Sequence, residues 1–172
     1  SFGITWNCLV VTIPYNLYMQ TGKLDIVKDN IDNIYAYVDH LASTPMSYKD
    51  ENGDKKEDAR LTGETGTLCD HLSRIPTDGV MLGNALYINC LDQAAVLADA
   101  VGDTEKAEGY RETAATAREA WKVMPELIVQ HAINSRFSEK LGIKPENISL
   151  STVPPTATPA PCVYMDLPYA VA

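Results

Sequence analysis

The first regular pattern along the chain lies in residues 6–21, where Val10, Ile13, Leu17 and, on the flank, Tyr18 recur every three or four positions. That spacing predicts a helix. Pro14 sits inside it, and a proline has no N–H to give to the preceding turn, so the helix is expected to start near Ile13 or to kink there. Gly22 supplies the stop. Residues 23–42 carry the clearest amphipathic pattern: Val27, Ile31, Ile34, Val38 and Leu41 form one stripe, with Asp25, Lys28, Asp29, Asp32 and Asp39 largely opposite. A third helix is predicted over 80–101, with Leu82, Leu86, Cys90 or Leu91, Ala94, Leu97 and Val101 inward and Gly102 as its cap. A fourth, over 104–124, places Ala107, Tyr110, Ala114, Ala117 and Trp121 on one face. A fifth follows over 126–141 from Leu127, Ile128, Ala132, Phe137 and Leu141.

Residues 43–79 break this pattern. A charge run, KDENGDKKEDAR, is followed by Gly63, Gly66, Pro76 and Gly79, and no stretch alternates well enough for a strand except around residues 66–75. An irregular connection of this length is unusual in a compact domain and often functional. From Ser149 the sequence turns Pro/Thr-rich (STVPPTATPAP), so 149–172 reads as an irregular tail behind a helical domain over 1–148. One internal repeat stands out. Gly22, Val27, Ile34, Tyr37 and Leu41 line up with Gly102, Ala107, Ala114, Ala117 and Trp121 at a constant offset of 80. The expected fold is all-α: antiparallel αα-hairpins joined by a long irregular loop.

Composition narrows the partners. With 23 acidic and 14 basic residues the net charge is −9, which repels phosphate backbones and anionic lipid. Nucleic acid and membrane are therefore not expected as partners. The longest apolar run is far shorter than the roughly 20 residues of a membrane span. No cationic stretch precedes an apolar one, and the chain opens at Ser1 inside a patterned segment, as a piece cut from something longer would. Cys8, Cys69, Cys90 and Cys162 are widely and irregularly spaced, which favours buried reduced thiols, hence a reducing cytoplasm, over a disulfide framework or a zinc site.

The long loop holds the densest group of reactive side chains: Glu64, Cys69, Asp70, His71 and Asp78. A carboxylate beside an imidazole can do acid–base work, and it can equally cap a helical turn. Adjacent Cys-Asp-His residues do not aim at one ion, so no metal and no cofactor are expected. His40, His131 and Asp92 read as surface or packing residues. Trp6 and Tyr15 flank an irregular entry to the first helix; exposed they would stack on a sugar ring, buried they are core. Phosphate-binding glycine loops, a Gly-x-Ser-x-Gly elbow and a basic–aromatic stripe are absent from the sequence.

The segment WNCLVVTIPYNLYMQTG, through Trp6, Pro14, Tyr15, Leu17, Tyr18 and Gly22, resembles the Trp-Gly-Asp…Pro-aromatic-x-Leu-Tyr…Gly segment of bacterial α-L-rhamnosidases. Asn30, Ile34, Tyr37, Val38 and Leu41 are similar to the family's next helix, and Leu68-Cys69-Asp70-His71-Leu72 to its Gly-Asp-Trp-Leu loop, with His in place of Trp. Thr77-Asp78, Asn84-Ala85 and ADAVGDTEKAEGY follow in the family's order, so the resemblance covers about 6–123. It implies part of an (α/α)6 toroid of six hairpins, and an enzyme that releases terminal L-rhamnose with inversion. Inversion uses a protonated carboxyl and a carboxylate about 6.5–9.5 Å apart. In the family both come from motifs not recognisable here, so no catalytic residue is assigned in this segment and the isolated chain is expected to be inactive. By the same resemblance Asp70, His71 and Trp6 are substrate-binding candidates, with an L-rhamnose-containing glycan or glycoside as partner. Cys8 departs from the family's usual Asp, and the match fails after about Val123. Hairpin faces left bare would make the chain self-associate. The alternatives are a tetratricopeptide-like interaction module, whose repeats would fall about every 34 residues rather than 80, and, as a minor one, a polysaccharide lyase or another toroid glycosidase.

Overall fold

The computed structural model describes residues 3–49, 53–65 and 79–141, with the backbone alone for 49 and 123–141. In chain order it forms α1 (Ile4–Asn7), α2 (Leu9–Thr21), α3 (Leu24–Lys28), α4 (Ile31–Ser43), β1 (Pro45–Lys49), β2 (Lys55–Thr62), α5 (Gly79–Val101) and α6 (Thr104–Leu141). The chain divides into two compact units, Ser1–Glu126 and Leu127–Ala172. The fold is all-α in its architecture, and the one sheet among the described residues is a two-stranded hairpin.

Helix α5 organises the core. Tyr87, Cys90, Leu91, Ala94, Ala95, Leu97 and Ala98 are all within 1% of full burial, and the helix packs against α1, α2, α3, α4 and β2. Long and apolar enough in composition to cross a membrane, it is instead the central helix of this cluster. Thr12 of α2 donates its hydroxyl to Gln93 Oε1 at 3.0 Å, and one turn earlier the Cys8 thiol is close enough to raise that of Cys90 electrostatically. The two helices therefore run in the same direction. Helix α6 returns antiparallel to α5: Arg111 pairs with Asp99, Arg118 with Asp92, and Trp121 Nε1 donates to the Met81 carbonyl at 3.4 Å.

The offset of 80 extends into packing. Ile4 and Asn84, Val11 and Leu91, Val27 and Ala107, Ile34 and Ala114 are each fully buried pairs at that spacing. Gly22 and Gly102 adopt φ 66° and 86°, the left-handed conformation in which a β-carbon is strained. A spacing of 80 leaves the tetratricopeptide alternative without support.

Four expectations need correction. Helix α2 begins at Leu9 and continues through the buried Pro14 rather than starting near Ile13, and the interruption falls at Cys8, between α1 and α2. Its core face is not the Val10–Ile13–Leu17 stripe: Ile4, Cys8, Val11 and Pro14 are buried, while Ile13 and Leu17 are 51% and 42% exposed. This segment is apolar on both sides, so periodicity alone selects no face. Residues 23–42 are not one helix, because the Asn30 amide donates to the Ile26 carbonyl at 2.8 Å, offering the backbone a substitute partner that ends α3. Residues 104–141 are one helix rather than two.

The charge run is also not irregular. Residues Pro45–Lys49 and Lys55–Thr62 pair antiparallel, with a bulge between Pro45 and Met46. Among the described residues of this hairpin only Met46, Leu61 and Thr62 are buried, so most of both faces is solvated and no alternation marks the strands. Asp58 accepts two bonds from the Arg60 guanidinium, at 2.9 and 2.7 Å; those bonds hold its carboxyl below the usual range. The stretch around residues 66–75 and the Pro/Thr-rich tail lie outside the described residues.

Candidate functional site

Residues 63–79 leave the hairpin and rejoin the fold at the amino end of α5, and both ends of this connection are fastened together. Asn84, fully buried, accepts a bond from Thr62 N at 2.8 Å and donates to the carbonyls of Thr62 (3.1 Å) and Val80 (3.0 Å). One side-chain amide thus pairs both backbone groups of the buried Thr62, each of which would cost about 1–3 kcal/mol if left unpaired, and ties them to the first turn of α5 through the Val80 carbonyl. Beside it, a β-carbon on Gly83 would collide with the Glu64 carbonyl, and one on Gly63 would meet the Pro45 carbonyl at 2.7 Å. Gly63 N in turn donates to the Thr44 carbonyl at 2.7 Å. Two glycines here mark close backbone approach rather than an unusual φ.

This clamp delivers Glu64 to His40, on the last turns of α4. The Glu64 Oε1 to His40 Nε2 distance is 3.5 Å, with side-chain exposures of 30% and 58%. Near Glu64 the Tyr37 hydroxyl is buried with no hydrogen-bond partner among the described residues. Burial, and after it the nearby Cys90, Cys8 and Glu64, push its pKa far up. Burial likewise raises the Cys8 thiol, and takes that of Cys90 to about 12. These two cysteines are free and buried, as the spacing predicted; Cys69 and Cys162 lie outside the described residues. The arrangement offers solvent a carboxylate and an imidazole, while the nearby phenol and thiols are held neutral.

Of the sequence-based candidates, Asp70 and His71 lie outside the described residues, within the connection that Asn84 fastens. Trp6 stands on α1 and is 52% exposed. His40 joins Glu64, a pairing that sequence spacing did not suggest. In the sequence Asn84 stood out as a polar residue in an apolar helix, GVMLGNALYINCL, and within the Asn84-Ala85 pair of the family resemblance, but nothing there showed its bonds to Thr62. Among the described residues no three His, Cys, Asp or Glu side chains gather as a metal site.

A separate open hollow of about 490 Å³ is lined by Asp39 of α4, Asp103, Lys106 and Tyr110. Its groups are spoken for. Lys106 Nζ lies 2.7 Å from Asp39 and 5.5 and 5.2 Å from the rings of Tyr35 and Tyr110. The Tyr110 hydroxyl donates to Asp39 at 3.0 Å. The cluster joins α4 to α6.

The model of the bacterial alpha-L-rhamnosidase 6 hairpin glycosidase domain matches residues 1–131. The chain belongs to this family. Its all-α architecture agrees with the six hairpins that the family's description names. Among curated proteins the chain is also similar to the D-ornithine 4,5-aminomutase subunit beta of Acetoanaerobium sticklandii, with 58% identity over 86 residues, which is 50% of this chain and 11% of that protein. The chain thus spans about a tenth of that relative. A stretch of 86 residues cannot fit outside 1–131, so the two likenesses overlap. No solved structure matches the chain.

Proposed function

We propose that this chain is a segment of a glycoside hydrolase that removes terminal α-L-rhamnosyl residues with inversion, and that it contributes sugar contacts rather than the acid and base. The observation that carries the reading is the Asn84 clamp, which anchors the Asp70–His71 connection on a six-hairpin glycosidase framework. In this reading Asp70 accepts hydrogen bonds from sugar hydroxyls, as an ionised carboxylate does well, and His71 and Trp6 are further substrate contacts. The partner is an L-rhamnose-containing glycan or glycoside. Titration of the chain with L-rhamnose, followed by NMR or calorimetry, tests this. Weak saturable binding, lost in Asp70→Asn and not reproduced by D-glucose, is the expected result. Equal responses to both sugars, or none to L-rhamnose, sink the proposal, and steady turnover of an aryl α-L-rhamnoside by the chain alone sinks its claim about the acid and base.

A second reading is favoured by the 58% identity to an aminomutase subunit. In it the shared stretch serves an aminomutase-type assembly. Calorimetry with D-ornithine, against its L enantiomer, separates the two: a D-selective signal from this chain supports the aminomutase reading.

A further inference from the structure

Glu64 is held more firmly than its exposed side chain needs. Its N–H donates to the Thr62 hydroxyl at 3.3 Å, and its carbonyl lies so near Gly83 that a β-carbon there would collide with it. Gly63, the residue before it, donates to the Thr44 carbonyl at 2.7 Å, and Asn84 pairs both backbone groups of Thr62. Facing Glu64, the backbone of His40 is fastened as well: its carbonyl accepts the Ser43 and Thr44 hydroxyls at 2.9 and 3.0 Å. Both backbones are thus fixed while both side chains reach solvent. The 3.5 Å between Oε1 and Nε2 exceeds the usual range of about 2.7–3.2 Å for an N–H···O bond, so neither group is used up by the other. An exposed pair of this kind adds little stability, and its own strength does not account for the fastening. Near Glu64 the buried Tyr37 hydroxyl has no partner among the described residues. Such an orphan marks a hydrogen-bond set that these residues alone leave incomplete.

We infer that Glu64 and His40 together bind a vicinal pair of sugar hydroxyls, as specificity-determining residues in addition to Asp70; the inference rests on the glycosidase reading given above. The two oxygens of a vicinal diol lie a hydrogen-bond length apart, which suits two groups spaced by 3.5 Å. Each hydroxyl both donates and accepts. The Glu64 carboxylate takes a hydroxyl proton as a charged, and therefore strong, acceptor. His40 Nε2 accepts from the second hydroxyl or donates to it, according to its tautomer. Fixed backbones place the two groups before the sugar arrives, so little ordering entropy is lost on binding. Other ligand classes fit less well. An anion is repelled by Glu64 and by the net charge of −9. An ammonium ion only donates, and a protonated His40 repels it. A rhamnosyl group in glycosidic linkage keeps its 2-, 3- and 4-hydroxyls, and the 3-hydroxyl belongs to both of its vicinal pairs.

NMR of the histidine ring protons in the full chain, titrated with methyl α-L-rhamnoside, tests this. The sequence has three histidines, and His40→Asn assigns the relevant signal. The expected result is a saturable shift of the His40 signal with the midpoint that calorimetry gives. The rhamnoside lacking its 3-hydroxyl binds at least tenfold more weakly. Glu64→Ala weakens the parent ligand at least tenfold and erases the difference between the two ligands, with helical circular dichroism unchanged. Glu57→Gln, on β2 and with a side chain 54% exposed, leaves binding intact. Should Glu64→Ala disturb the fold, His40→Asn supplies a loss in the same direction. Calorimetric binding that Asp70→Asn abolishes, with a still His40 signal or with full affinity in Glu64→Ala, overturns this inference and leaves the glycosidase reading standing. No binding of the rhamnoside at all overturns both. A His40 signal moved by D-ornithine and not by the rhamnoside overturns it in favour of an amine ligand.

Discussion

Asn84 holds three backbone partners with one side chain, so its loss leaves buried groups unpaired. Asn84→Ala is expected to lower stability by about 2–4 kcal/mol, above the usual range for a point change, as a drop in the urea midpoint would reveal. Asn84→Asp tests direction: it keeps the acceptor for Thr62 N and removes both donors, so it costs as much or more while barely altering size. Gly102→Ala is a different kind of lesion. No atom lies within 4 Å of the added carbon, yet φ is +86°, so a loss of about 1–2 kcal/mol arises from backbone strain alone. The buried phenols and thiols set the alkaline limit. Tyr35 and Tyr87 are shifted from 10.0 to about 12, and Cys90 from 9.0 to about 12, in each case mainly by burial. A pKa raised by folding means that the unfolded chain loses its proton first; the stabilisation is complete below about pH 9 and is lost as the pH climbs to about 12. Melting temperatures followed by circular dichroism should be level through neutrality and fall across that window, with a shallower fall in Cys90→Ala.

Legibility varied from element to element for physical reasons. In α4 the stripe of Ile34, Val38 and Leu41 is fully buried as read, because its other side is charged and only one orientation is possible. In α5 and α6 the predicted faces hold for Cys90, Leu91, Ala94, Leu97, Ala107, Tyr110, Ala114 and Ala117. Helix α2 defeated the same method, since an uncharged segment offers no contrast. The β-hairpin stayed hidden because its order comes from backbone pairing and the Asp58–Arg60 bond, neither of which alternation reports. Half of the candidate site was readable: Glu64 lay among the loop's reactive residues, whereas its neighbour His40 arrives from a helix 24 positions earlier and only tertiary structure joins them. This hierarchy predicts a hydrogen-exchange order. Amides in the middle of α5 should be the slowest, and those of β1 and β2 faster by orders of magnitude, because the hairpin rests on few buried side chains. Equal protection in both would contradict it.

At the scale of the whole chain, two hairpins related by 80 residues make up a modular body. The family assignment rests on residues 1–131, and the likeness to an aminomutase subunit overlaps that stretch. Cleavage by a protease of broad specificity, with the products identified by mass, should leave a stable product containing α2, α5 and the first half of α6. A protected product lacking α2 would mean that the first hairpin is not part of the same cooperative body.

Helices α2 and α5 share a direction, and each is followed by a link of one glycine and one further residue, Gly22-Lys23 and Gly102-Asp103. Between Ser43 and Gly79, by contrast, the chain spends a whole hairpin and more before the next long helix begins. The body therefore has one end where the polypeptide turns as tightly as it can and another where it can lengthen freely. Extra residues spliced in at Gly53, where nothing crowds the backbone, should leave the melting temperature nearly untouched, while the same residues after Gly102 should unseat α6. New chemistry in such an architecture can accumulate at one end while the other keeps count of the helices.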